Sequence, residues 1–214
     1  IEERIIRRKH PDKLFFTYAN TVATIDLAKK YKGHGWVGIK YQVKPDEGYN
    51  KIMIHIRFKE NDAKHQQITL GVLGVNLIYG AFYNHDSAKQ ILINLYNHLD
   101  KDQLEIDSIN FSGPRFKNVD NRLMSLKLVK NGLTNATIFG ADGEVLQASD
   151  ALYKKHVIAL RGRFRPVTKV NLDMLEKGVE QFKKDIPEAE HGRLLQLSEL
   201  TLNALGSDGN IDEK

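Results

Sequence analysis

Cysteine is missing altogether from these 214 residues. That removes disulfides, thiolate metal sites and cysteine nucleophiles from consideration, and it suits a reducing compartment, the cytoplasm being the expected location. No apolar run approaches the roughly 20 residues that span a bilayer, so no membrane partner is expected. No signal-peptide pattern is visible either, although the chain begins at Ile1 without a methionine. Charge of one sign is also lacking. Thirty-two Lys and Arg stand against 27 Asp and Glu, a net charge of +5, which does not describe a chain that coats nucleic acid uniformly. Two local chemistries are absent as well. No His-x-x-x-His spacing suggests a metal centre, and no serine sits in a Gly-x-Ser-x-Gly elbow. Asp208-Gly209-Asn210 has its glycine at the wrong position for an EF-hand.

What is present alternates between strand and helix patterns. Residues 1–13 are charged and read as a helical or frayed entry segment; residues 14–30 mix aromatics with a helical pattern. Residues 36–44 and 51–58 alternate around Pro45, Asp46 and Gly48, which predicts a β-hairpin. On its second strand Met53, His55 and Arg57 share the polar face. The stretch 64–83 is ambiguous; a short helix to about Gly74 followed by a strand over 75–82 is the expectation, since periodicity alone does not separate the two. Ser87 and Gln90 have capping-box spacing ahead of a Leu92, Leu95, Leu99 stripe. Residues 104–112 read as a strand, 119–130 as a helix closed by Asn131-Gly132, and 135–147 as a hairpin turning at Asp142-Gly143. A short helical piece from Ser149 leads to a strand over 156–161, and helices are expected over 171–184 and 191–205.

The pattern predicts an α/β (or α+β) fold, with a mixed sheet, an N-terminal β-hairpin and flanking helices. A single domain over 1–206 is expected as part of a longer chain, with 207–214 as a polar tail or linker. Two strands, 104–112 and 156–161, each run into a glycine followed shortly by Arg-Phe. Were they parallel neighbours, both turns would lie at one sheet edge, where open α/β sheets bind ligands.

The segment from Val157 to Thr168 carries the most chemistry. A β-branched run ends in Arg161, Gly162, Arg163 and Arg165, and a proline, a cap-type Thr168, Lys169 and Asn171 then open a helix. A helix N-terminus presents free N–H groups and a positive dipole end, and guanidinium groups match oxyanions bidentately. Arg161, Gly162, Arg163, Arg165, Thr168, Lys169 and Asn171 are therefore the expected phosphate- or nucleotide-binding residues, with Arg115 and Arg122 reaching the same edge. The alternative is an ordinary strand end whose arginines face solvent or pair with carboxylates. His34, His55 and His65 are the histidines singled out for function; no metal is expected at them, and hydrogen-bonded or solvated rings are the default reading. No catalytic residue is assigned.

Gly162, Phe164, Pro166, Thr168 and the helix from Leu172 resemble the strand–turn–helix of the nucleotidylyltransferase superfamily, with its Gly-x-Phe-x-Pro turn and Thr/His-x-Gly-His motif. The stretch looks like phosphopantetheine adenylyltransferases and nicotinate-nucleotide adenylyltransferases. Val170 stands at the motif glycine and Asn171 at its final histidine, and only about 50 residues follow. The resemblance implies binding of a nucleotide or phosphorylated small molecule, adenylyl transfer to a nucleotide substrate, and Mg2+ with ATP as cofactors. Further segments, His34-Gly35-Trp36, Gly74–Phe82 and Asp120–Met124, are similar to a group of longer bacterial proteins sometimes described as nicotinate-nucleotide adenylyltransferase. A non-catalytic assembly module, with self-association, is the first alternative. A nucleic-acid-binding module is the second and less favoured one.

Overall fold

The computed structural model describes residues 2–24, 32–45 and 47–203. They form two compact units, Ile1–Gln147 and Ala148–Lys214, so the division falls inside the span read from sequence as one domain. The expected tail 207–214 lies outside the described residues.

The first unit begins with a short helix, α1 (Glu2–Lys9), followed by three strands, β1 (Phe16–Ala23), β2 (His34–Tyr41) and β3 (Asn50–Phe58). Helices α2 (Ala63–Tyr83) and α3 (Ala88–Asn94) then lead to β4 (Leu104–Ser112). Helix α4 (Asn121–Lys130) and a small hairpin, β5 (Ile138–Phe139) with β6 (Val145–Leu146), complete it. The four long strands form one sheet in the order β1-β2-β3-β4, antiparallel throughout. Strand alternation places Val37, Ile39, Tyr41, Ile52, Ile54, Ile56 and Phe58 on one face. Leu73, Leu77 and Ala81 of α2, Ile91 and Leu92 of α3, and Met124 and Leu128 of α4 cover that face in a single core. Each large aliphatic side chain buried there is worth roughly 1.5–3 kcal/mol of transfer free energy.

Three local expectations give way. Residues 16–23 are a strand, not part of a helical pattern, because they pair along their whole length with β2, while Tyr18 and Val22 meet the core; residues 25–30 of that stretch lie outside the described residues. Residues 63–83 are one continuous 21-residue helix, so there is no strand over 75–82. Asp62 caps the helix, accepting from the His65 N–H at 2.9 Å. Gly74 is no break in it: a Cβ there would lie 2.7 Å from the Tyr18 hydroxyl, so the glycine admits β1 against the helix. The third change falls in the second unit.

That unit contains α5 (Ala148–Leu152), β7 (His156–Arg161), α6 (Lys169–Lys184) and β8 (Leu194–Glu199). Strands β7 and β8 pair in parallel, joined through α6, which is the crossover a parallel pair requires. The stretch 191–205, expected as a helix, is instead the end of a 3-10 turn (Glu188–Arg193) followed by β8. The chain is thus α/β with an N-terminal hairpin, and its antiparallel and parallel pairings belong to separate sheets. No described residue of this second unit is fully buried. Among the described residues, no helix is long and apolar enough to cross a membrane.

Candidate functional sites

The β7–α6 turn is built as its residues imply. Thr168 and Asn171 form a reciprocal capping box: the Asn171 N–H donates to the Thr168 hydroxyl at 3.3 Å, and the Thr168 N–H donates to Asn171 Oδ1 at 2.9 Å. The Phe164 ring lies over Gly162, within 3.1 Å of where a Cβ would stand. Arg161 does not face the turn as a free cation. It pairs with Glu199, its register partner on β8, at 2.7 Å. That hydrogen bond raises the guanidinium pKa and holds the Glu199 carboxyl below its ordinary value. Arg163, Arg165 and Lys169 are exposed, and among the described residues none of them has an acidic partner. The site that remains is therefore three cations beside the start of a 16-residue helix whose first N–H groups, on Lys169 and Val170, lie outside the capping box.

Arg115 and Arg122 belong to the first unit. Because β4 and β7 belong to different sheets, they are not parallel neighbours, and the common sheet edge expected for the two turns is not formed. Arg115 is held by Glu47 at 3.0 Å and Asp86 at 3.1 Å, and Arg122 by Asp120 at 2.7 Å. Both guanidinium pKa values are raised, first through those side-chain hydrogen bonds, and Asp120 is lowered by the same contact. These two arginines tie loops and a helix start together.

A second constellation lies on the sheet face opposite the helices. His55 Nδ1 is 2.6 Å from Asp107 Oδ1, and His55 Nε2 is 3.4 Å from His34 Nδ1. Gln147 Nε2 donates to Asp107 Oδ2 at 3.3 Å, and the Trp36 ring meets the His55 ring edge-on, centroids 5.0 Å apart. His55 and Asp107 are buried, at 3% and 7% exposure, whereas His34 is exposed. The His55 ring is thus fixed in orientation, one nitrogen held by a carboxylate and the other facing an exposed histidine. His65 is not part of it; it sits at the start of α2 beside Asp62.

His34 and His55 stand among the residues singled out from sequence, but Asp107 does not. A β-bulge places it: the register shifts between His55 and Ile56, so Asp107 and Ser108 together oppose His55. The sequence carries the signal. Apolar residues fall at 104 and 106, then at 109 and 111, and the phase break at Asp107-Ser108 marks the extra residue. Among the described residues, no group of three or more His, Asp or Glu could hold a metal ion.

Comparison with protein-family models, with curated proteins and with solved structures finds no match to this chain.

Proposed function

We propose that this chain binds a nucleotide or another phosphorylated small molecule at the β7–α6 turn. The observation that carries this reading is the contrast among the arginines. Arg161, Arg115 and Arg122 are each neutralised by a carboxylate, whereas Arg163 and Arg165 in the turn before α6 and Lys169 at its start have no acidic partner among the described residues. Three unpaired cations within seven residues repel one another, and an oxyanion bound to the Lys169 and Val170 N–H groups relieves that repulsion. The proposal places the protein in the cytoplasm, in keeping with the absence of cysteine.

Binding is proposed ahead of catalysis. Adenylyl transfer with Mg2+ and ATP is what the resemblance to nucleotidylyltransferases adds. Asn171, however, stands where those enzymes have a histidine, and its side chain is occupied by the capping box. Loss of one preorganised charge-stabilising donor typically costs several kcal/mol of transition-state stabilisation. The test is thermal shift against ATP, nicotinate mononucleotide, phosphopantetheine and pyrophosphate, each with Mg2+. A ligand at 100 times its Kd stabilises by about 2.7 kcal/mol, and this shift should vanish in Arg163→Ala/Arg165→Ala. No shift with any of them would end the reading.

One observation favours an assembly module as the second reading. Helix α2 carries a single charged residue, Lys64, yet Ile68, Val75, Tyr79 and Tyr83 are half or more exposed on its outer side. A helix apolar all round ordinarily lies within a core or an interface. Self-association that disappears in Val75→Lys would support it.

A further inference from the structure

The sheet face of the first unit opposite its helices holds a groove that the proposal above does not use, and the register of the strands explains its form. Directly opposed residues lie in rows across the sheet. One row is Thr17, Lys40 and Lys51; the next is Ala19, Gly38 and Met53; a third contains Thr21, Trp36 and His55. The middle row has almost no side chain on β1 and β2, so it forms a floor, with Trp36 as one wall and the lysines as the other. The Met53 side chain lies over Gly38, its Sδ 2.5 Å from where a Cβ would stand, and lines the floor with it. The cavity is about 250 Å3, at the small end of ligand sites.

Its charge is unbalanced. Like charges directly opposed across an antiparallel pair are destabilising, yet Lys40 and Lys51 are register partners. Lys40 Nζ lies 4.1 Å from the Tyr49 ring centroid, and Lys51 has no acidic partner among the described residues. Lys40 is four residues from Trp36 along β2, which at about 3.3 Å per residue separates their backbones by about 13 Å.

We propose that this groove binds a small molecule consisting of a flat aromatic ring and a phosphate or carboxylate group, the ring against Trp36 over Ala19 and Met53 and the anion between Lys40 and Lys51. Ring and anion are the shared chemistry; nucleoside monophosphates and aromatic carboxylates are its two sources. The proposal is independent of the β7–α6 turn.

Trp36 is the only tryptophan in the chain, so its fluorescence reads the groove directly. The titrants are AMP, adenosine, inorganic phosphate, 2-naphthoate and deca-uridylate, at constant pH and salt. Saturable quenching by AMP or 2-naphthoate is expected, and which of the two binds more tightly identifies the source. Phosphate alone should leave the signal unchanged. Lys40→Ala/Lys51→Ala removes two exposed charges and the Lys40 contact with Tyr49, and should weaken anion binding at least ten-fold, leaving the weaker response to adenosine unaltered. Ala19→Leu fills the floor and should abolish both, with urea midpoints of the variants confirming the fold. Arg163→Ala/Arg165→Ala should leave the quench untouched. The proposal fails if no ring-bearing anion quenches, if the double lysine variant binds as well as wild type, if the arginine variant abolishes the quench, or if only deca-uridylate responds.

Discussion

Replacing His55 with alanine tests how the sheet's polar face is held. His55 is 3% exposed and Asp107 7%, and their contact is 2.6 Å. Removing the ring leaves a buried carboxylate with only the longer 3.3 Å bond from Gln147. Taking one partner from a buried, short, polar pair costs about 3 kcal/mol, between the penalty for an unsatisfied group and that for a broken buried ion pair. Loss of the edge-on packing against Trp36 adds to it. With a urea m-value of about 1.5–2 kcal/mol/M, the midpoint should fall by about 1.5–2 M. Urea denaturation followed by Trp36 fluorescence reports this unit alone. His34→Ala removes an exposed ring from a long 3.4 Å contact and should change stability by no more than about 0.5 kcal/mol. His55→Ala/Asp107→Ala should be more stable than the sum of the single losses predicts, by at least about 1 kcal/mol, because the partners go together. A His55→Ala midpoint within 0.5 M of wild type, or strictly additive losses, would refute the reasoning.

Other outcomes follow from the same geometry. Asn76 is buried in α2 and donates to the Leu95 carbonyl at 3.0 Å and the Asn97 carbonyl at 2.7 Å; Asn76→Ala should cost about 1–3 kcal/mol in urea denaturation, and an unchanged midpoint would mean these bonds do not hold α3 to α2. Thr168→Ala removes the capping box of α6 and should cost about 1 kcal/mol, measured as helical signal lost on heating; a variant that melts with wild type would contradict the cap. Glu199 and Glu190 have carboxyl pKa values lowered by hydrogen bonds from Arg161 and His156. Groups lowered on folding stabilise above their unfolded value near 4.3 and lose that contribution as pH falls through the folded value. The stability gap between wild type and Glu199→Gln should therefore close as pH is taken below about 4; a gap that persists there would show that the pairing is not its cause.

Most of the fold was legible because its signals are local. The β2–β3 hairpin follows from period-two alternation around turn residues, and α3 and α6 from Ser87 and Thr168 with partners three residues on. The parts that were not legible depend on tertiary context. Helix α2 is apolar on every side, so no periodicity separates helix from strand, and its glycines suggest a break where Gly74 in fact receives Tyr18. β8 carries a mixed pattern that only pairing with β7 resolves. At the sites, the cationic turn and Thr168 as a cap are sequence-local and were visible, whereas the return bond that occupies the Asn171 side chain, expected there as a phosphate ligand, was not. That Arg161, Arg115 and Arg122 are neutralised was not, because Glu199, Glu47 and Asp120 become partners only through a register, a loop approach and a helix cap. The His55–Asp107 pair was half visible: both histidines stood out, and the bulge that delivers the carboxylate was written in a phase break at Asp107-Ser108.

The most direct test of the phosphate-binding proposal is an NMR titration of the uniformly 15N-labelled chain with pyrophosphate and Mg2+. The account predicts saturable shifts of the Lys169 and Val170 amides, accompanied by the Arg163 and Arg165 side-chain signals and lost in Arg163→Ala/Arg165→Ala. Amides at the β7–α6 turn that stay in place at millimolar pyrophosphate would contradict it.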